Sequence, residues 1–166
     1  RSNERQFRGI FEKSKDAVFL TDRKLVFKDV NFITVSMLGY TREELLNLSL
    51  NHFFARPEQA QEISDFLNRE GEVEDVEVEL VSHNKEKLQG ILSLSMEMDE
   101  ADNLYIQGII HDITNLKRAE KATLQAEKLG AANRLVRALA HEVRNPLNNI
   151  NLSVDQLMLE NLAESG

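Results

Sequence analysis

The sequence predicts an α+β fold, in which a five-stranded antiparallel sheet carries helices on one face and a long C-terminal coiled-coil helix follows the sheet. Three observations predict this fold. Two β-rich runs precede residue 32, three more lie between residues 73 and 113, and a helical pattern continues from there to about residue 162. Grouped strands with helices between the groups are typical of antiparallel α+β proteins.

A short helix opens the chain. Apolar residues at Phe7, Ile10 and Phe11 have the i, i+3, i+4 spacing of one helical face. The spacing predicts an amphipathic helix from Ser2 to about Ser14.

A β-hairpin is predicted next. Residues 16–22 and 24–31 are rich in strand-forming side chains, and a polar turn at Asp22 and Arg23 separates them. We expect the two runs to pair as antiparallel neighbours.

Short helices connect the hairpin to the remaining strands. Gly39 ends an apolar helix that starts near Asn31, because a left-handed cap conformation costs glycine little. Thr41 and Glu44 have the spacing of a capping box, which predicts a further helix start.

A longer helix is predicted to begin at Pro57, since proline is tolerated in a first helical turn, and to end at Gly71. Its apolar face consists of Ile63, Phe66 and Leu67.

Three strands follow, separated by polar turns at residues 83–86 and 99–103. The first alternates between apolar and acidic residues from Val76 to Leu80, and the third covers residues 104–113. The second strand has one face that consists of Gly90, Leu92, Leu94, Met96 and Met98.

The composition excludes several classes of protein. The 166 residues include no cysteine, so a disulfide scaffold, a thiolate zinc site and a cysteine nucleophile are excluded. No apolar run approaches the roughly 20 residues of a membrane span, and the chain opens on Arg1 without a secretory signal. We expect a cytoplasmic piece of a longer protein, which leaves open whether that parent is anchored in a membrane.

The net charge of −8 is distributed unevenly along the chain. Residues 114–144 hold seven basic and three acidic side chains, a net charge of +4, which leaves −12 on the rest. The net charge of −8 argues against nucleic acid as a partner. The basic segment is expected to be either a solvated helix face or a surface for an acidic partner.

Three ordered segments carry a family resemblance. They read F-R-G-I-F-E-K-S-K-D-A-V-F-L-T-D, V-N-F-I-T-V-S-M-L-G-Y-T-R-E-E-L-L and G-I-I-H-D-I-T. Together they resemble the PAS sensory family over residues 1 to about 114. The resemblance implies a five-stranded antiparallel sheet that cups a small cavity beneath helices, in a module that senses or dimerises rather than catalyses.

The residues identify no ligand for such a PAS domain. A flavin adduct requires a cysteine, and the helix at residues 58–69 has no histidine to ligate haem. We expect His52, His83 and His111 to be ordinary polar residues. An apolar wall is expected either to line a ligand pocket or to belong to a packed core, and it consists of Leu92, Leu94, Met96, Ile106 and Ile110.

The helix after the sheet carries a heptad seam. Its apolar residues recur at alternating spacings of 3 and 4, which is typical of a coiled coil: Leu129, Ala132, Val136, Leu139, Val143, Pro146 and Ile150. Either Asp112 or Thr114 is expected to cap its start. A helix of this length needs a partner for stability, so we expect a homodimer through it.

The stretch H-E-V-R-N-P-L at residues 141–147 interrupts this helical pattern with a proline. The heptad phase places His141 at position f, opposite the seam, and Pro146 within the seam. A zinc-binding H-E-x-x-H motif needs a second histidine where Asn145 stands, so no metal site is predicted. The stretch resembles the phosphoacceptor box of sensor histidine kinases, in which a PAS domain commonly precedes a helical linker.

The resemblance implies a role for each residue of the box. His141 accepts the phosphoryl group, and Glu142 acts as general base. Asn145 positions water in the reverse phosphatase reaction, and Pro146 bends the helix.

The resemblance also implies the organisation of the chain. Residues 1–113 are the PAS domain, 114–128 a coiled-coil linker, and 129–166 the truncated first helix of a kinase dimerisation domain. ATP and Mg²⁺ belong to the parent's own ATP-binding domain, so the fragment holds no cofactor and is expected to be inactive alone. Its further partner is a receiver domain. The alternative is a non-catalytic PAS sensing and dimerisation module.

Overall fold

The computed structural model describes the backbone of residues 2–164 and the side chains of residues 3–144 and 159–160. The chain divides into two units, Arg1–Lys117 and Arg118–Gly166. The helices are α1 (Ser2–Lys13), α2 (Phe32–Leu38), α3 (Arg42–Leu45), α4 (Pro57–Glu70) and α5 (Thr114–Glu164). The strands are β1 (Ala17–Thr21), β2 (Phe27–Val30), β3 (Glu72–Val81), β4 (Lys87–Met98) and β5 (Leu104–Asp112).

The five strands form one sheet in the order β2-β1-β5-β4-β3, and all neighbours are antiparallel. The first and last strands in the chain lie side by side, so that Phe19 faces Gly108. The predicted fold class is therefore confirmed: a five-stranded antiparallel sheet with helices, and a long C-terminal helix after it.

The core is built on aromatic side chains that pack against the sheet. The fully buried rings of Phe19 and Phe27 meet edge to face at 5.3 Å, and Phe27 also lies 6.2 Å from the ring of Phe53. Gly108 provides the space for Phe19, since a Cβ atom at residue 108 would lie 2.2 Å from that ring. The lack of a side chain at Gly108 thus determines where the ring of Phe19 packs.

The predicted helix caps between the hairpin and β3 are confirmed. Gly39 and Gly71 follow α2 and α4 with φ angles of 77° and 82°, the left-handed conformation that glycine adopts without strain. Thr41 and Glu44 form both hydrogen bonds of the capping box, and Pro57 occupies the first turn of α4.

The predicted second strand of the hairpin is too long. It begins at Phe27 rather than at residue 24, because Leu25 adopts a φ angle of 63° that turns its side chain into the core. Asp22 stabilises this turn, since its carboxylate accepts hydrogen bonds from the N–H groups of Lys24 and Val26 at 2.8 and 3.0 Å.

Four residues predicted on apolar faces are exposed. Phe7 is 42% and Ile10 is 74% exposed, because only Phe11 of their helix face reaches the core. Phe66 is 43% exposed and lies under the guanidinium group of Arg69 at 5.3 Å, on the flank of α4. Met98 is 64% exposed, since β4 extends past the end of β3.

Asn31 joins three elements of the core, although its place in the sequence indicates only a helix start. Its buried Oδ1 accepts from the N–H groups of Val18 and Thr34 at 3.1 and 3.0 Å. Its Nδ2 donates to the carbonyl oxygens of Phe11 and Asp16 at 2.9 and 3.0 Å. The end of α1, the start of β1 and the start of α2 therefore share one amide.

Replacing Gly108 with alanine is expected to destabilise the sheet unit by about 1–3 kcal/mol, because the new Cβ would overlap the Phe19 ring. Urea unfolding measures the change. Gly9→Ala is the matched control, since no atom lies within 4 Å of a Cβ there and alanine favours the helix. Equal stability of the two variants would contradict the packing described.

Candidate functional site

The junction between β5 and α5 is bonded directly to strand β4. The N–H of Ile113 donates to the carbonyl oxygen of Gln89 at 2.9 Å. In return, the N–H of Gln89 donates to the hydroxyl oxygen of Thr114 at 3.0 Å. Ile113 and Thr114 are both buried, so water has limited access to these bonds.

The start of α5 is capped by Asp112, one of the two predicted candidates. Its carboxylate accepts from the N–H of Thr114 at 2.9 Å and also lies against the Thr114 hydroxyl group. The first hydrogen bond along the helix runs from the N–H of Lys117 to the carbonyl oxygen of Ile113 at 2.8 Å. The hydroxyl group of Thr114 therefore bonds to the sheet, while its backbone forms the first residue of the helix.

Polar side chains of β4 and of its neighbour β3 extend this junction. The Nε2 of Gln89 donates to a carboxylate oxygen of Glu79 at 3.0 Å, which links β4 to β3. The Nζ of Lys117 lies 3.2 Å from a carboxylate oxygen of Glu77. Both members of this ion pair are partly exposed, so the pair stabilises the junction less than the buried hydrogen bonds do.

The three histidines of the sheet unit occupy separate places. His111 lies 2.7 Å from a carboxylate oxygen of Asp16, His83 meets the ring of Tyr40 at 4.5 Å, and His52 stands against Phe53. Among the described residues, no group of three or more His, Cys, Asp or Glu side chains is arranged to hold a metal ion.

The apolar wall considered for a ligand pocket belongs to the packed core. Leu92, Leu94, Ile106 and Ile110 are each at most 2% exposed, and Met96 packs against them. Two open grooves lie elsewhere on this unit. One of about 1270 Å³ lies beside α1, and another of about 440 Å³ lies between α4 and β3.

The residues of the predicted phosphoacceptor box lie far along α5. His141 and Glu142 are helical and exposed. Asn145 and Pro146, predicted to position water and to bend the helix, lie outside the residues whose side chains are described. The described apolar seam residues are exposed as well, with Leu129, Val136, Leu139 and Val143 between 52% and 62% accessible.

A family model for the PAS fold matches residues 5–113, the part of the chain that forms the sheet and its helices. This chain belongs to the PAS family. Solved structures agree with the assignment. A PAS domain from a two-component sensor histidine kinase superposes with a TM-score of 0.58 at 18% identity, which covers 67% of this chain and 97% of that one.

Curated relatives of this PAS protein are named as kinases. The signal transduction histidine-protein kinase AtoS of Escherichia coli is 25% identical over 141 residues, which is 85% of this chain and 23% of that protein. Sporulation kinase E of Bacillus subtilis is 26% identical over 153 residues, 89% of this chain and 20% of that protein. The chain thus spans about a fifth of the length of these relatives.

Two further observations bear on the PAS unit and the helix after it. None of the helices in the described part of the chain has the length and apolarity to cross a membrane. The contact of Gln89 with the helix start is not predictable from the sequence, because an alternating strand pattern does not reveal which backbone amide bonds to a following helix.

Replacing Thr114 with valine is expected to lower the free energy of unfolding of the PAS unit by about 1–3 kcal/mol, because the amide of Gln89 loses its acceptor at a partly buried place. Urea unfolding measures the loss, and amide hydrogen exchange at Gln89 is expected to speed up. Thr123→Val, at an exposed position of the same helix, serves as control and should change stability by less than about 0.5 kcal/mol. Unchanged exchange at Gln89 would rule out the bond.

Proposed function

We propose that this chain is the sensing and phosphoacceptor part of a dimeric sensor histidine kinase. The PAS domain relays a signal to α5, and His141 accepts a phosphoryl group from ATP and passes it to an aspartate of a receiver protein. The observation that carries the proposal is the H-E-V-R-N-P-L stretch on an exposed helix that begins directly at the last PAS strand.

The surroundings of His141 support a role in group transfer. A phosphoacceptor must be reached by an ATP-bearing domain and later by a receiver, and His141 is exposed. The relatives that match most of this chain are named as kinases, which is the class of protein that the proposal requires. A zipper that only dimerises has no use for a histidine, a carboxylate and an asparagine in this spacing.

In the proposed reaction a ring nitrogen of neutral His141 attacks the γ-phosphorus of ATP. The new N–P bond forms as the bond between the γ-phosphorus and its bridging oxygen breaks, and ADP leaves with that electron pair. Glu142, the next residue, accepts the proton from the other ring nitrogen. ATP and Mg²⁺ are held by an ATP-binding domain rather than by this chain. In the separate phosphatase reaction, Asn145 positions a water molecule that attacks the phosphorus of the receiver's phospho-aspartate, and the aspartate carboxylate leaves.

The exposed seam of α5 supports dimerisation. Leu129, Val136, Leu139 and Val143 are more than half exposed in the single chain, and their heptad spacing suits a second copy of the same helix. Burial in a dimer would remove these side chains from water. In this organisation residues 1–113 sense, 114–128 connect, and 129–166 present His141.

A non-catalytic PAS sensing and dimerisation module is the second candidate. The exposed seam by itself favours it, because dimerisation requires no more than a seam. The two candidates differ in one respect only, which is whether His141 receives a phosphoryl group.

Incubation with radiolabelled ATP and the ATP-binding domain of its kinase, supplied in trans, is expected to label the chain with an acid-labile phosphoryl group. Without that domain no label is expected. The variant His141→Gln should abolish labelling, since the acceptor nitrogen is lost. His52→Gln, at another exposed histidine, is the matched control and should be labelled normally. Labelling that persists in His141→Gln would refute the kinase assignment in favour of another acceptor.

A further inference from the structure

Three arginines surround His141 on one face of α5. Arg134, Arg137 and Arg144 lie seven and four residues before His141 and three residues after it. At about 100° per residue, these spacings place all three within roughly 60° of the histidine around the helix axis. All three are exposed, as His141 is.

The face carries positive charge that the helix itself does not neutralise. Neither Arg137 nor Arg144 has a carboxylate at the i±3 or i±4 positions, where a helical ion pair would form. Arg134 and Arg137 are instead i, i+3 neighbours of like charge, which disfavours the isolated helix. Among the described side chains, none of the three arginines takes part in an ion pair. A face of this kind is stabilised by an anion.

We propose that Arg137 binds the phosphoryl group that is transferred at His141. The proposal rests on the function proposed above and names a residue outside the H-E-V-R-N-P-L stretch. Arg137 stands one helical turn before His141, about 6 Å along the axis, and its side chain is long enough for the guanidinium group to contact a phosphoryl group on the imidazole ring.

The chemistry of the transferred group suits this residue. A phosphoryl group carries its negative charge on oxygen atoms that a planar guanidinium fork matches with two parallel hydrogen bonds. Phosphoryl transfer is accelerated mainly by positioning and by stabilising that charge. Arg137 would provide both functions at the acceptor, whichever molecule donates the group.

Phosphoramidate, a small phosphoryl donor, tests this contact without any partner protein. The N–P bond to His141 forms while the P–N bond of phosphoramidate breaks. Ammonia leaves with that electron pair, and the imidazole releases its remaining ring proton to water. The 166-residue chain is incubated with the donor, and the rate of phosphorylation at His141 is followed by mass spectrometry.

The variant Arg137→Gln is expected to slow phosphorylation at His141 by about tenfold, since a charge-assisted hydrogen bond is lost. The rate for Arg137→Lys should lie between those of the unmodified chain and of Arg137→Gln, because lysine keeps the positive charge but lacks the planar guanidinium group. Arg118→Gln removes an exposed arginine from the same helix about 35 Å away and should leave the rate unchanged. Glutamine has a helix propensity close to that of arginine, and far-UV circular dichroism checks that α5 is retained in each variant.

Three results would overturn the inference. A wild-type rate in Arg137→Gln would show that the residue does not contact the group. If Arg137→Gln is phosphorylated by phosphoramidate at the normal rate but transfers the group to a receiver more slowly, the arginine face would be assigned to docking of an acidic protein. Absence of labelling at His141 in the unmodified chain, with phosphoramidate and with ATP and its domain alike, would remove the proposed function itself.

Discussion

The reciprocal hydrogen bonds between Gln89 and the pair Ile113 and Thr114 are the constraint on which the rest of the structure depends. They fasten the first turn of α5 to β4, a strand with a hydrogen-bonded neighbour on each side. Asp112 adds the cap that begins the helix at this point. A displacement of β4 or β5 therefore also moves the start of α5. A sheet needs such a connection if it is to act on a helix.

The interior of the PAS unit links β5 closely to β1, and β1 to the end of α1. Phe19 of β1 lies over Gly108 of β5, so the two strands share a close steric contact as well as their hydrogen bonds. Asn31 ties the end of α1 to β1 and α2 through a single buried amide. The end of α1 and the strand that precedes α5 are thus both linked to β1, the first by hydrogen bonds and the second by side-chain packing as well.

Local chemistry made much of the fold predictable, and long-range pairing explains the rest. Gly39 and the Thr41 box mark their helix ends by the conformation or side-chain oxygen that such ends require. The sheet order was not predictable from such signals, because β1 joins β5 across most of the chain. The backbone conformation of Leu25 was not predictable, since its positive φ depends on the turn at Asp22 and on burial of the side chain. His141 is proposed as a site residue because of its spacing within H-E-V-R-N-P-L, whereas the part played by Gln89 depends on its backbone and leaves no such pattern.

The central claim is that the phase of α5 carries the PAS state to His141, and insertions after Lys121 in the full-length protein test it most directly. Two inserted residues rotate the following helix by about 200°, whereas seven restore its heptad phase to within about 20°. The measured quantity is ATP-dependent phosphorylation at His141. We predict that the two-residue insertion changes this phosphorylation severalfold and that the seven-residue insertion leaves its regulation intact. Wild-type behaviour of both insertions would contradict the account.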